Sequence, residues 1–371
     1  DLKLRLGWGL TGQQNVGGAF PYLATYTFSN GAFQYPSPDG KGGWIYPLYP
    51  NGYDESLKWE TTETWNVGLD FGFLNNRITA AVDWYLRKTR DLLYGANIAG
   101  TGTAATITRN IGNMQNMGVE FTLTARPVVT KNFTWSTGFN WAYNNSKITK
   151  LTGNNASDSQ PARGLPVGTG GYIQYFTVDQ EPYAFRVMEQ VYDNSGNPIP
   201  GVYVDQNGDG QVTDDDYIYY HSPAPKHTFA WNNNFMFYNF DLGFVLRANL
   251  GNYVYNGPKA SYGFTSQMTQ YGWNNVLADT FLYGDLAGDK YHYYSSYFVE
   301  NASFLRCDNI SFGYTFDDLL KNKVGLRVFA VVENPFVITK YKGIDPEVFS
   351  GIDSSVYPNP TTYTLGVTLN F

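Results

Sequence analysis

One short segment of the chain has the residue types and spacing of a calcium-binding loop. It runs from 205 to 216 with the sequence DQNGDGQVTDDD. Oxygen-bearing side chains occupy the first, third and fifth positions, and a glycine occupies the sixth, where such loops turn sharply. Because Ca²⁺ is a hard cation that prefers six to eight oxygen ligands, the pattern predicts a calcium site. The predicted ligands are Asp205, Asn207, Asp209, Gln211 through its backbone carbonyl, and Asp216.

Two features distinguish this loop from that of a calcium sensor. The twelfth position is Asp216, where a sensor has a longer glutamate, so the side chain has a shorter bidentate reach. In addition, no amphipathic helical pattern flanks the loop. We therefore expect an isolated calcium loop that stiffens an extracellular segment, and the alternative is an acidic, glycine-rich turn without metal.

No other group of residues predicts catalysis. The histidines, His221, His227 and His292, lack the spacing of a metalloprotease or zinc-finger site. His227 lies at the start of a strand, where we expect a satisfied interfacial histidine and not a metal ligand. Cys307 is the single cysteine, which excludes an internal disulfide framework, and we expect it to be a small packing residue. The 32 acidic residues include many possible pairs, but the sequence gives no carboxylate separation by which to test a glycosidase dyad. We expect a protein that is not an enzyme.

The composition differs from that of an average cytosolic domain. Aromatic residues make up 18% of the 371 residues and charged residues only 15%, and 39 residues are glycine. A net charge of −7 and the absence of a basic run argue against a nucleic-acid partner, which requires a basic surface. No window approaches about 18 consecutive apolar residues, so no membrane-spanning helix is expected.

A long predicted hairpin indicates that the loops connect β-strands. Over residues 65–73 apolar side chains alternate with small or polar ones, and the alternation restarts after Asn75-Asn76 and continues over 78–86. Successive side chains of a strand point to opposite faces, so each strand has one apolar face and one polar face. The alternation covers about ten residues on each side of the turn, the length that a tilted strand needs to cross a bilayer.

The same alternation occurs ten times along the chain. Tight turns near 75, 131, 238 and 320 are expected at one end of the strands, and loops of about 51, 21, 77, 48 and 27 residues at the other. The second of these loops is expected over residues 95–115. Short periplasmic turns and long extracellular loops are typical of outer-membrane barrels. The sequence therefore predicts an all-β fold, an antiparallel transmembrane β-barrel of about ten strands with long extracellular loops.

Five segments in collinear order carry a family resemblance. They are LKWETTETWNVGLDFGFLNNRITAAVDWYLRKTRDLL (57–93), NIGNMQNMGVEFTL (110–123), FVENASFLRCDNISFGYTF (298–316), VENPFVITKYKGIDPEV (332–348) and YPNPTTYTLGVTLNF (357–371). Together they resemble the C-terminal part of a SusC/RagA-type TonB-dependent outer-membrane transporter. The last segment ends on Phe371, which is similar to the terminal aromatic residue of outer-membrane barrels.

The resemblance implies a roughly 22-stranded barrel with an N-terminal plug, of which residues 1–371 are the C-terminal portion of one transmembrane domain. It implies a multi-pass protein in the outer membrane of a Gram-negative bacterium that imports glycan oligosaccharides or oligopeptides in a SusCD-like complex. The implied partners are the N-terminal plug and barrel portion of the same transporter, a SusD-like surface lipoprotein, TonB through that N-terminal part, the cargo and membrane lipid. The alternative is a stand-alone ten-stranded barrel with a structural or adhesive role.

Two further sets of residues are expected in the lumen and at the extracellular mouth. Polar strand positions should face the lumen or plug, or satisfy one another there: Asp70, Asp83, Glu120, Arg126, Asp241 and Arg247. Loop aromatics could stack on cargo or pack the loops against one another: Trp44, Tyr46, Tyr175, Phe176, Tyr271 and Trp273. The sequence identifies none of these residues as a substrate ligand.

Overall fold

The computed structural model is dominated by one antiparallel sheet of ten strands in sequence order. The structure describes residues 1–13, 22–28, 34–38, 40–97, 106–151, 159–162, 167, 170–268, 277–278, 280, 289–319, 324–354 and 357–370. The strands are β1 (Leu2–Gln13), β2 (Glu60–Phe73), β3 (Ile78–Asn97), β4 (Thr106–Val129), β5 (Phe133–Leu151), β6 (His227–Phe237), β7 (Phe240–Leu250), β8 (Phe304–Leu319), β9 (Val324–Thr339) and β10 (Thr362–Asn370). The predicted ten-stranded antiparallel sheet is confirmed.

One face of the sheet is apolar and exposed. On β1, Leu2 and Leu6 are 75% and 72% exposed, and on β10 Leu365 is 85% exposed. Such large apolar side chains at every second position would be unfavourable in water. In an outer-membrane barrel the same band contacts the hydrocarbon chains of the lipid. The apolar face therefore has the chemistry of a lipid-facing surface.

Tight turns join the strands at one end of the sheet. Between β2 and β3, residues 74–76 have φ angles of 51°, 55° and 62°, and the two asparagines there tolerate this left-handed backbone better than most residues. Tyr238, with φ of 50°, turns β6 into β7. Both turns lie where the sequence predicts them, whereas the turn expected near 320 lies outside the described residues.

The connection between β3 and β4 is shorter than the sequence suggests. A loop was expected over 95–115, but β3 continues to Asn97 and β4 begins at Thr106. The pairing passes through register shifts beside Leu92 and then continues to the ends of both strands. The expectation was wrong because this upper part of the hairpin lacks the apolar alternation, while its backbone still pairs.

The long loops at the other end contain short strands and helices of their own. The β1–β2 loop holds Tyr26–Phe28, Tyr35–Pro36, Trp44–Ile45 and Leu48–Pro50. The β5–β6 loop holds Ser159–Pro161, Gln174–Thr177, Ala184–Met188, Gln190–Tyr192, Pro198–Tyr203, the 3-10 turn Asp214–Asp216 and Tyr217–Tyr220. The remaining loops hold Tyr253–Asn256, α1 (Gly257–Tyr262), 3-10 turns at Thr265–Met268, His292–Tyr294 and Ser296–Phe298, and the strands Val299–Asn301 and Ile352–Asp353. No helix in the described part of the chain is long and apolar enough to cross a membrane.

Three of these loops pack into one layer, which we call the loop cap: the described parts of 159–222, 251–303 and 340–354. Its core contains Phe185 from the β5–β6 loop, Tyr255 and Phe298 from the β7–β8 loop, and Ile352 from the β9–β10 loop. All four side chains are at most 4% exposed. Burial of large apolar side chains stabilises each by roughly 1.5–3 kcal/mol relative to exposure. The long loops are therefore a folded layer with its own hydrophobic core.

A buried ion pair ties the last loop to the sheet. Arg306 at the start of β8 donates to Asp345 at 2.6 Å, and both side chains are only 5% exposed. Asp345 also accepts from the backbone N–H of Glu347 at 2.9 Å and from Asn359 at 2.6 Å. An ion pair buried to this extent leaves an uncompensated charge when one partner is removed.

Asp345→Asn should therefore open the last loop. We expect the free energy of local unfolding of residues 340–354 to fall by roughly 3 kcal/mol, the scale for breaking a buried pair. Asp179→Asn is the matched control, because Asp179 pairs with Lys147 at 2.8 Å but is 71% exposed, and an exposed pair contributes at most about 1 kcal/mol. Amide hydrogen exchange of the loop measures both variants. Equal effects would contradict the assignment of Asp345 as the anchor.

Candidate functional site

The polar face of the sheet carries ion pairs that join neighbouring strands. Arg5 on β1 donates to Asp70 on β2 at 2.7 and 2.9 Å and to Asp83 on β3 at 2.8 Å from two of its nitrogens. A planar guanidinium can make two such forked contacts at once, which a lysine cannot do. Arg5 thus neutralises two carboxylates that would otherwise repel each other.

Two similar groups lie further along the sheet. Arg327 on β9 donates to Asp241 on β7 at 2.6 and 3.1 Å. Arg247 on β7 donates to Asp308 at 2.6 Å, and it reaches Glu347 in the last loop at 2.8 and 3.2 Å. Four of the six polar residues predicted to face the lumen lie in these ion pairs, each with a partner outside that set: Asp70, Asp83, Asp241 and Arg247.

The other two residues of that set form no ion pair with any residue that the structure describes. Glu120 lies opposite Asp83 in the register of β3 and β4 and is exposed. Arg126 is also exposed and contributes a backbone N–H to the carbonyl of Arg77. Sequence reasoning missed the partners Arg5, Arg327 and Asp308. Each is a charge at a polar strand position, a signal that identifies a partner only once the strand order and register are known.

Some of the predicted loop aromatics pack against neighbouring residues, and others are exposed. Phe176 makes edge contacts with Tyr94 and Tyr183 at 5.8 and 4.9 Å, so it packs the loop onto β3. Tyr175 lies beside the guanidinium of Arg186 at 5.4 Å. Trp44 and Tyr46 are 53% and 48% exposed in the β1–β2 loop. The remaining two predicted aromatics, Tyr271 and Trp273, lie outside the described residues.

The histidine and cysteine side chains have structural surroundings. Cys307 is buried in β8, with its Sγ 3.5 Å from the carbonyl oxygen of Asn309. The ring of His227 stacks on Trp141, whose indole N–H donates to its Nδ1 at 3.2 Å. His292 is buried, with Nε2 2.7 Å from the carbonyl of Ala260. The packing role expected for Cys307 and the satisfied position expected for His227 are confirmed.

The segment 205–216 forms a closed loop. Asp205 accepts the N–H groups of Gly208 and Gly210 at 2.7 and 2.8 Å. Further along, Asn207 accepts the N–H of Asp209, and Asp209 accepts the N–H of Gln211, both within 2.9 Å. Gly208 and Gly210 have φ of 73° and 84°, a left-handed backbone that glycine adopts without strain. The spacing of these residues thus produces successive turns, each closed by a side-chain oxygen that accepts a backbone N–H.

Asp216 closes this loop from its far end. Its side chain is fully buried and accepts the N–H groups of Thr213 at 2.7 Å, Gln206 at 2.8 Å and Asn207 at 3.3 Å. These donors, Thr213 foremost, hold the pKa of Asp216 below its usual value, although burial alone would raise it. In the described part of the chain, no three acidic, histidine or cysteine side chains are grouped so as to hold a metal ion.

Comparison with known proteins places this sheet and its loops in a family. The sequence model of the family described as TonB dependent receptor-like, beta-barrel matches residues 1–334. The chain belongs to this family. TonB-dependent receptors are outer-membrane proteins of Gram-negative bacteria, so the ten strands lie in the outer membrane and their apolar face contacts lipid. The predicted location is confirmed.

The similarity extends over the whole chain in several relatives. The TonB-dependent receptor SusC of Bacteroides thetaiotaomicron is 45% identical, over all of this chain and 38% of SusC. The TonB-dependent receptor P3 of Formosa agariphila is 27% identical, over all of this chain and 39% of that receptor. The chain thus spans about two fifths of these relatives. They are receptors and not enzymes, as expected from the sequence, and the predicted SusC/RagA-type resemblance is confirmed.

The fold agrees with that of a solved transporter of the family. The structure of the RagAB peptide transporter superposes with a TM-score of 0.79 over all of this chain and 41% of the RagAB chain, at 24% sequence identity. A second RagAB structure, in the closed-closed state, gives a TM-score of 0.78. At this level of identity the comparison establishes the arrangement of strands and loops.

Removal of Arg5 should weaken the edge of this receptor sheet. Arg5→Met removes the guanidinium that bridges Asp70 and Asp83, so we expect a lower melting temperature in detergent and less folded protein in the outer membrane. Lys131→Met, at an exposed position in the turn between β4 and β5, also removes one positive charge and should change neither. Adding Asp83→Asn to the Arg5 variant should restore part of the loss, because it removes one of the two repelling charges. Equal melting of both single variants would contradict the bridging role.

Proposed function

We propose that this chain is part of a TonB-dependent transporter that imports glycan oligosaccharides or oligopeptides across the outer membrane. The observation that carries the proposal is the 45% identity with the receptor SusC over the whole chain. The paired charges on the polar face support it, since a lumen that admits polar cargo or a plug is lined by polar groups. Energy would come through TonB, which we propose acts through another part of the same protein.

The open edges of the sheet support a larger barrel. Among the described residues, β1 pairs only with β2, and β10 pairs only with β9. Unpaired backbone groups are very unfavourable in lipid, so both edges require further strands. We propose that the remaining strands and the plug of the same transporter complete the barrel. A stand-alone ten-stranded barrel requires β1 to pair with β10, and the structure does not favour that alternative.

The outer surface of the loop cap supports a surface partner. In the β9–β10 loop, Phe349 is fully exposed, and Tyr357 and Ile344 are 86% and 58% exposed. Large apolar side chains on a folded, well-anchored loop are typical of protein interfaces. We propose that a SusD-like surface lipoprotein covers this loop and closes the mouth of the barrel.

Deletion and complementation test this function. We expect a strain that lacks the full-length protein to lose uptake and growth on one class of oligosaccharide or oligopeptide, and the complemented strain to recover both. A lipoprotein should co-purify with the full-length protein in mild detergent. Phe349→Asp should reduce its recovery, whereas Val212→Asp, at an exposed position in the calcium-type loop, should not. Unchanged uptake in the deletion strain would contradict the transporter function.

We also propose that the loop 205–216 binds Ca²⁺ through Asp205, Asn207, Asp209, the carbonyl of Gln211 and Asp216. The loop spacing supports this, and each carboxylate oxygen has two lone pairs, so an oxygen that accepts an N–H can also face a cation. Because hydrogen bonds already close the loop, the metal would supply added rigidity to an extracellular segment.

Metal removal tests the calcium proposal. We expect millimolar Ca²⁺ to raise the melting temperature of the full-length protein and to protect residues 203–217 from proteolysis, and a chelator to reverse both effects. Asp209→Ala should abolish the response, since it removes an oxygen ligand at the fifth loop position. Asp193→Ala, in a neighbouring turn outside the loop, is the control. If Mg²⁺ produces the same protection as Ca²⁺ or neither ion has an effect, the site is an acidic turn without specific metal.

A further inference from the structure

A cavity of about 370 Å³ lies in the loop cap between the β5–β6 loop and the β7–β8 loop. Tyrosines form much of its lining, including Tyr175, Tyr217 and Tyr294, and the charged residues Arg186, Asp214 and Lys290 also reach it. The volume is within the range of small-molecule sites. Nothing in the transporter proposal above assigns a role to this cavity.

Arg186 is the charged group held most firmly. Its guanidinium carbon is 4.1 Å from the ring centre of Tyr217 and 5.4 Å from that of Tyr175. One of its N–H groups donates to the backbone carbonyl of Asp214 at 3.2 Å. Within the part of the chain that the structure describes, Arg186 forms no ion pair with a carboxylate. The aromatic contacts therefore orient a planar cation at the cavity without neutralising it.

The acidic group of the cavity is balanced by other neighbours. The carboxylate of Asp214 lies 3.6 Å from the ammonium of Lys290 and accepts the hydroxyl proton of Tyr291 at 2.8 Å. The same ammonium lies over the ring of Tyr291 at 4.3 Å. Since Lys290 offsets Asp214, the charge of Arg186 remains, and the cavity is locally positive in a chain whose net charge is −7.

The tyrosines offer hydroxyl groups as well as flat faces. Burial raises the pKa of Tyr217 and of Tyr294 above the usual value, so both hydroxyls stay protonated at physiological pH and can donate or accept. Gly171 makes room for Tyr294, because a Cβ at that position would collide with its hydroxyl oxygen. The absence of a side chain at Gly171 thus lets the Tyr294 hydroxyl lie close to the backbone in the cavity wall.

We propose that this cavity binds a uronic acid residue of an acidic oligosaccharide. The sugar carboxylate would accept two parallel N–H donors from Arg186, and the C–H face of the sugar ring would lie on a tyrosine ring. Hydroxyls at the ring edge match the tyrosine hydroxyls, Asp214 and Lys290. A peptide residue with a free carboxylate would also satisfy Arg186, but it lacks the ring of hydroxyls that would pair with the tyrosine hydroxyls. The inference rests on the transporter function, whose cargo class it specifies.

Binding measurements on the full-length protein in detergent test this inference. The probes are a trigalacturonate, a neutral galactose trisaccharide of the same linkage, and a tripeptide with a free C-terminal carboxylate. We expect the acidic sugar to bind at least about tenfold more tightly than the neutral sugar, because it adds charged hydrogen bonds. It should also bind more tightly than the tripeptide, which has a carboxylate but no ring hydroxyls. Its affinity should also fall with added salt, since screening weakens the charge pairing.

Two sets of variants test separately how the charge and the shape of the cavity contribute to binding. Arg186→Gln should weaken trigalacturonate binding at least about tenfold, and Arg186→Lys should recover only part of it, because lysine keeps the charge but not the fork. Arg77→Gln makes the same change in net charge at the tight-turn end of the sheet and should bind as wild type. Gly171→Ala should weaken binding without any change in charge, because the added Cβ displaces Tyr294.

The outcomes distinguish a failure of the proposed site from a failure of the proposed transporter function. Equal affinity for the acidic and neutral sugars, or full binding by a folded Arg186→Gln variant, would overturn the proposal, and tighter binding of the tripeptide would overturn the saccharide assignment. Heat-modifiable mobility on gels verifies that each variant is folded. Uptake is measured separately in cells: loss of binding with uptake of another cargo intact contradicts only this site, whereas binding without any uptake contradicts the transporter function.

Discussion

Backbone hydrogen bonding in a medium without water is the constraint on which this structure depends. Each N–H and C=O inside the membrane needs a partner, and in a sheet that partner is the next strand. The long, regular pairing of β2 with β3 and of β6 with β7 follows from this need. So does the pleat, which places apolar side chains toward lipid and polar ones on the opposite face. The same constraint makes the unpaired edges of β1 and β10 incomplete surfaces.

The polar face of the sheet places several charged side chains in a confined space, where opposite charges must be paired. Three arginines, each on a different strand, bridge acidic residues of other strands or loops. The forked guanidinium suits this role because it contacts two carboxylate oxygens, or two carboxylates, in one plane. The bridges link strands across the polar face of the sheet, and two of them span an intervening strand.

The loop cap shows how long connections become a functional surface. Its core joins three loops that are far apart in sequence, and the buried pair of Arg306 and Asp345 fixes the last of them to β8. A surface that is already folded loses less conformational entropy when a ligand or partner binds. The cap can therefore hold Arg186 between two tyrosines and fix Asp214 beside a turn closed by Asp216.

The sequence by itself determined the strands and their faces, because the period of two in apolar residues depends only on local geometry. It located ten strands and the tight turns near 75 and 238, and it placed the acidic loop at 205–216. It missed the upper part of the β3–β4 hairpin, where polar residues on both faces remove the alternation. Only the tertiary structure decided which charges meet, since Arg5 and Asp83 are 78 positions apart and become neighbours through strand order. The cavity around Arg186 has the same origin: its walls come from two loops whose contact no local pattern encodes.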